Sequence, residues 1–252
     1  RIESQITTHY PNSIVIGRQI TEQEARISAD QRANIRVPTV LKDLIEEIAF
    51  AARESEFVDK KSGVSARLTI SAYENLYSTA ERRLLRNGED KTTARVTDFW
   101  GVIPALTGKV EMVYEGEQEG PHVVALNIIG AALKKEFLKI FPNPTKLKKG
   151  QERDPYGTVR AWFAGGHSVD LLTELDGKQF FLELDQVAGL KKIVEAAGLD
   201  ELETYTYMEL VLHGLAEFEV LSKEFIETKW VFKDFLAGNL KDDDVDMRDL
   251  FN

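Results

Sequence analysis

The amino-acid sequence predicts a mainly α-helical protein, a helical bundle followed by a second helical unit, and three observations carry that prediction. Apolar residues recur three and four positions apart, as in Leu41, Leu44, Ile45, Ile48, Ala49 and Ala52, the spacing that lines one face of a helix. Helix start and stop signals bracket such stretches: a capping box from Thr21 to Glu24, Pro38 and Pro121 at first turns, Asn87-Gly88 at an end. Strand-like pieces are few, namely the β-branched run Ser13-Ile14-Val15-Ile16-Gly17 and the short Ala94-Arg95-Val96.

In chain order, His9-Tyr10-Pro11-Asn12 is turn chemistry and residues 13–17 follow as a strand. Thr21 opens a helix expected to reach Arg32 or Ala33. Pro38 opens the next, with Glu46, Glu47, Arg53 and Glu54 on its outer side. The turn from Glu56 to Gly63 leads to a long helix whose buried stripe is Leu68, Ser71, Ala72, Leu76, Ala80, Leu84 and Leu85; Ser65 can cap it. Arg82, Arg83 and Arg86 fall near its C-terminal end, where cations complement the helix dipole. Thr97-Asp98 caps a further helix to about Leu106. Residues 109–120 read as a boundary, and Pro121 opens a helix to about Ile140, stopped by Phe141-Pro142-Asn143-Pro144. A lysine-rich linker follows. The last hundred residues then carry Trp162-Phe163, a helical core from Phe180 to Val194 broken near Gly189, an amphipathic helix from Tyr207 to Leu221, an aromatic stretch from Phe225 to Phe235, and an acidic run Asp242–Asp246.

Composition narrows the function. The chain has 252 residues, 43% of them apolar, enough for a sizeable core. Its net charge of -10 would repel a phosphate backbone or an anionic membrane surface, so neither nucleic acid nor membrane is the expected partner. Cysteine is absent, which removes disulfides and thiolate sites and fits a cytoplasmic setting. No apolar run is long enough to span a bilayer. The sequence starts Arg1-Ile2-Glu3-Ser4, without initiator methionine or signal pattern, and is expected to begin inside a larger protein.

Complete catalytic motifs are missing. There is no phosphate-cradling Gly-x-x-x-x-Gly-Lys-Ser/Thr loop, no Gly-x-Ser-x-Gly elbow and no His-Glu-x-x-His. His9, His122, His167 and His213 lack ligand spacing and read as surface or satisfied core histidines. The acidic run lacks the glycine turn and closing glutamate of a calcium loop and reads as a solvated tail. Trp162 and Trp230 read as core anchors. What remains is Arg67, a planar cation at the opening of a long helix behind a small glycine-containing turn. Periodicity alone makes it a surface arginine pairing with a glutamate.

Gly63-Val64-Ser65-Ala66-Arg67-Leu68, with Ala72-Tyr73-Glu74-Asn75-Leu76 and Ala80-Glu81-Arg82-Arg83 behind it, resembles the lid of a magnesium-chelatase-like AAA+ ATPase. Arg1–Ile6, His9-Tyr10-Pro11 and Ile20-Thr21-Glu22-Gln23-Glu24-Ala25 resemble the segment joining that family's nucleotide-binding core to its lid. The likeness covers about residues 1–120 and extends through Val96-Thr97-Asp98 and Ile103-Pro104-Ala105. The C-terminal hundred residues resemble a poorly characterised extension of some bacterial members. The resemblance implies residues 1–20 as the tail of the core, 21–115 as a helical lid, 116–150 as connecting helix and linker, and 151–252 as a helical accessory domain.

It further implies that Arg67 is the sensor-2 arginine, reaching the γ-phosphate of ATP, a role that suits a bidentate guanidinium. Arg1 stands where the family places an arginine finger. ATP and Mg2+ would belong to the full-length parent, and the partners would be the missing core domain, further copies in a homo-oligomeric ring, and a remodelled protein. Walker A, Walker B and sensor 1 are absent, as is the Asp-x-Ser-x-Ser pattern of the chelatase partner subunit, so this chain alone should not hydrolyse ATP. The alternative is a stand-alone, non-catalytic helical interaction module. A third class, a hydrolase using Asp154, Asp170 or Glu174, has only generic support.

Overall fold

Local capping decides where several helices begin. The Ser13 side chain accepts a hydrogen bond from the Ile16 N–H and opens α1 (Ile14–Glu24). Ser28 and Gln31 form a reciprocal capping box that opens α2 (Ala29–Asn34). Pro38 precedes α3 (Thr39–Glu54), and α4 (Leu68–Asn87) ends on Gly88 in the left-handed conformation. A 3-10 helix (Thr97–Val102) runs into α5 (Ile103–Lys109), followed by α6 (Tyr114–Glu119) and the long α7 (Pro121–Ile140). The computed structural model describes residues 9–61, 63–146, 154–199 and 203–236.

Two short strands, β1 (Ile35–Arg36) and β2 (Thr92–Thr93), pair in parallel beside the end of α4. Beyond residue 154 come α8 (Gly157–Ala164), β3 (Val169–Leu172), α9 (Gly177–Asp185), α10 (Leu190–Ala196) and α11 (Thr204–Glu217). A hairpin of β4 (Leu221–Ile226) and β5 (Lys229–Asp234) completes an antiparallel sheet ordered β3-β5-β4. In its register Leu171 faces Trp230 and Val169 faces Phe232.

The buried set is continuous from Ala25 to Phe232. In the N-terminal part α3 lies against α4 and α7, and α4 also meets α5 and the 3-10 helix. In the C-terminal part α11 packs on β4, on α9 and α10, and across on α7. The α7–α11 crossing is close: a Cβ on Gly214 would overlap the Phe137 ring, and one on Gly130 would overlap the Glu217 carboxylate. Phe137 is fully buried there, so the two parts of the chain share apolar contact.

The mainly helical class holds, with a small sheet added. The strand expected over residues 13–17 is the first turn of α1. Its β-branched residues tolerate either state, and the seat for α1 decides: Gly17 lies against Glu46, and Thr21 is buried between α3 and α4. Thr21 is therefore an interior residue and not a cap, and the helix expected from it to residue 33 is broken at residues 25–28 before α2. The extended piece expected at 94–96 lies two residues earlier, at Thr92–Thr93. In the C-terminal part, Leu171 and the aromatic stretch from Phe225 build a sheet where only helices were expected. Arg1, the linker lysines Lys148 and Lys149, and the acidic run 242–246 lie outside the described residues.

Candidate functional site

The turn before α4 is built by hydrogen bonds to the segment after α5. Asp59 N–H donates to the Glu111 carbonyl at 2.9 Å, Glu111 N–H to the Gly63 carbonyl at 2.9 Å, and Ser65 N–H to the Lys109 carbonyl at 3.0 Å. Val58 and Val64, both buried, bridge Met112 and Val110. Gly63 has φ +33°, and a Cβ there would stand 2.5 Å from the Asp59 carbonyl oxygen, so the tightest point needs glycine. From the other side Tyr10 Oη donates to the Val64 carbonyl at 2.5 Å, and the Arg53 guanidinium lies 4.0 Å above the Tyr10 ring.

Arg67 emerges from this braced turn with helical φ and ψ of -89° and 0°. Its N–H donates to Ser65 Oγ at 3.2 Å, and its carbonyl accepts from Ser71 N–H at 3.0 Å. Ser65 thus stabilises the turn one step ahead of the helix, and no side chain caps α4 itself. The next two residues, Leu68 and Thr69, are buried and fix the first turn of α4, whereas Arg67 itself is exposed. Among the described residues its guanidinium has no ion pair and no hydrogen bond. The glutamate partner that periodicity predicts for it is not found among the described residues.

A buried carboxylate sits behind the same helix start. Glu46 Oε1 accepts from Thr21 Oγ1 at 2.6 Å, and the Thr21 and Thr69 hydroxyls are 2.8 Å apart. Burial pushes the Glu46 carboxyl up to about 7, against the lowering effect of the Thr21 hydrogen bond. The cluster ties α1, α3 and α4 together immediately below Arg67.

A second polar cluster joins the two parts of the chain at the other end of α4. Arg83 and Asp98 form an ion pair at 2.9 Å with side-chain exposures of 1% and 0%. Arg83 also donates to Thr92 Oγ1 at 2.7 Å and to the Thr93 carbonyl at 2.9 Å, while Asp98 accepts from Arg95 N–H at 2.9 Å. Glu209, from α11, accepts from the N–H groups of Val96 and Thr97 at 2.6 and 2.7 Å. Arg95 donates to the Leu175 carbonyl at 2.7 Å and covers the Phe180 ring. Burial raises Glu209 to about 7 and, with Arg83 adjacent, lowers Arg95 to about 10. His213 is buried with neither ring nitrogen hydrogen-bonded, 4.0 Å from Glu209 and edge-on to Trp230 and Phe232; burial drives its pKa well below the ordinary value. It is a core histidine, yet not a satisfied one.

Hydrolytic machinery is not assembled among the described residues. Asp154 pairs with Arg160, Asp170 with Lys229, and Glu174 with Arg82 and Arg86, on separate elements. No group of three or more His, Asp or Glu stands close enough to hold a metal among those residues, and none of their helices is long and apolar enough to cross a membrane. Comparison with known proteins finds no matching family model, curated protein or solved structure.

Sequence reasoning singled out Arg67 and missed Glu46, Asp98 and Glu209. Helical spacing places Glu46 on the outer face and makes Asp98 a helix cap, whereas the fold buries both. Glu209 shares its bonds with residues 112 and 113 positions away, a pairing no local pattern announces.

Proposed function

We propose that the chain is the lid and accessory region of an AAA+ ATPase, coupling ATP binding and hydrolysis in its parent protein to the remodelling of a protein partner or chelatase-type complex. The observation that carries the reading is the setting of Arg67: an exposed cation without a partner among the described residues, held at the start of a 20-residue helix by a turn braced on both sides. A fixed, uncompensated guanidinium is suited to a phosphate supplied by another domain or subunit. Loss of that phosphate on hydrolysis would remove its anion and free the lid to rotate. In this reading Mg2+ and the phosphate-cradling loop belong to the nucleotide-binding core, and an arginine finger at Arg1 belongs to the neighbouring subunit's site.

The test is Arg67→Ala in a protein that joins the chain to its nucleotide-binding core. The variant should lose most ATPase activity and its nucleotide-dependent assembly while melting like the parent. An unchanged ATPase rate and nucleotide response would remove the sensor assignment. An in-frame stop upstream of the coding sequence, with no P-loop, would remove the motor reading altogether and leave the interaction module.

A further inference from the structure

A cleft of about 410 Å³ opens where α2, β1 and β2 meet, lined by Arg32, Arg36, Lys91, Thr92 and Thr93 with the α2 end. It is distinct from the Arg67 turn. The helix between them, α4, has 20 residues and at 1.5 Å per residue sets them roughly 30 Å apart.

Three properties separate this cleft from an ordinary charged surface. On a chain of net charge -10 it gathers three cations and no carboxylate among its lining residues. Arg36 pairs with Glu203 at 2.9 Å across the rim, but Arg32 and Lys91 have no ion pair among the described residues. Both charges are therefore left for a bound anion to compensate. The third property is the floor. Thr92 Oγ1 accepts from the buried Arg83 guanidinium at 2.7 Å. An oxygen engaged in this way has its own hydrogen left to donate, so a hydroxyl donor is presented on a support that Arg83 and Asp98 hold fixed.

We propose that this cleft is a binding site for a small phosphate-bearing ligand, with Arg32 and Lys91 as its charged contacts and Thr92 as a hydroxyl donor. The volume admits a diphosphate, and the cleft is open to solvent on one side. Because Thr92 in its lining rests on the Arg83–Asp98 pair, occupancy stiffens the joint between the two parts of the chain. The inference does not depend on the nucleotide reading of Arg67.

Pyrophosphate is the probe, titrated calorimetrically into the 252-residue chain at constant ionic strength, with sodium chloride as the matched control. Saturable binding is expected, weakened at least about tenfold by the pair Arg32→Gln and Lys91→Gln, which removes both charge-assisted contacts. Thr92→Val should weaken it less, and Arg67→Ala should leave it unchanged. Both glutamine changes are at exposed positions, and circular dichroism will show that the variant is folded. Absence of saturable binding, equal affinity in the double glutamine variant, or loss of binding in Arg67→Ala would each overturn the assignment. The last result would instead place the anion at the Arg67 turn.

Discussion

Two arginine settings lie at opposite ends of α4, and they are built on contrary principles. At the C-terminal end Arg83 is buried and every described contact is answered: an aspartate, a threonine hydroxyl and a backbone carbonyl. At the N-terminal end the backbone around Arg67 is braced by three cross-chain hydrogen bonds, while its side chain is exposed and unanswered among the described residues. Burying a charge is tolerable only with near-complete compensation, so the first setting can serve only structure. An exposed guanidinium on a rigid base carries almost no folding energy and is free to respond to a ligand. Substitutions should therefore separate the two ends by magnitude and by readout.

Asp98→Ala should have the largest effect. It strands the Arg83 guanidinium in the core and removes the acceptor for Arg95 N–H, a loss on the order of 3–5 kcal/mol, measurable by urea unfolding. A change below about 1 kcal/mol, the scale of an exposed ion pair, would mean that the pair is not buried and would collapse the contrast.

The second effect depends on pH. Glu209 is raised by burial from the ordinary glutamate value to about 7. Its protonated form is thus favoured in the folded state, and that contribution is fully present below the unfolded pKa and is lost as pH rises through 7. A shift of this size corresponds to roughly 3 kcal/mol across the window. Glu209→Gln should melt lower than the parent at pH 5, because an amide satisfies only one of the two N–H donors at Val96 and Thr97. Its further decline between pH 5 and pH 8 should be the shallower of the two. Glu46, raised likewise to about 7, contributes a separate share that Glu46→Gln should remove. Parallel melting curves for parent and Glu209→Gln would show that the carboxyl titrates as an exposed one does.

Gly63→Ala probes the braced turn. With φ at +33° and a carbonyl oxygen 2.5 Å from the new Cβ, the cost should be about 1–3 kcal/mol, with faster proteolysis of the turn read alongside urea unfolding. Unaltered stability and proteolysis would mean that the turn is not fixed, and Arg67 would lose its rigid base.

These residues also show what the sequence revealed and what it concealed. The turn at Gly63, the end of α4 at Gly88 and the span of α7 were legible because the signals are local: a glycine in a polar turn, an Asn-Gly stop, prolines at both ends of a helix. Residues 13–17 were misread because a β-branched run suits either state, and the pocket between Glu46 and Thr69 that selects the helix comes from residues far along the chain. The β4–β5 hairpin was hidden because its turn carries Glu227 at φ 55°, where asparagine or glycine is the usual signal. Of the candidate site, the exposed Arg67 was readable, and its lack of a partner among the described residues was not. The compensating groups around Arg83 and Arg95 come from 3-10, strand and α11 positions that meet only in the folded chain.

Arg67→Ala should give the smallest folding effect and is for that reason the most discriminating. The guanidinium makes no described contact, and the backbone bonds that hold the turn remain in alanine, so the change in stability should stay within about 0.5 kcal/mol. Arg67 stands at the N-cap of α4 without a side-chain capping bond, so alanine removes no cap. If urea unfolding instead shows a loss comparable with Asp98→Ala, Arg67 has a structural partner and the two ends of α4 differ only in exposure. With stability unchanged, any loss of nucleotide response in the core-bearing protein must come from the missing charge. Arg67→Lys then asks for more than charge: lysine keeps the cation but not the planar fork, so it should leave stability alone and recover only part of the response. Full recovery by lysine would reduce the role of Arg67 to a point charge.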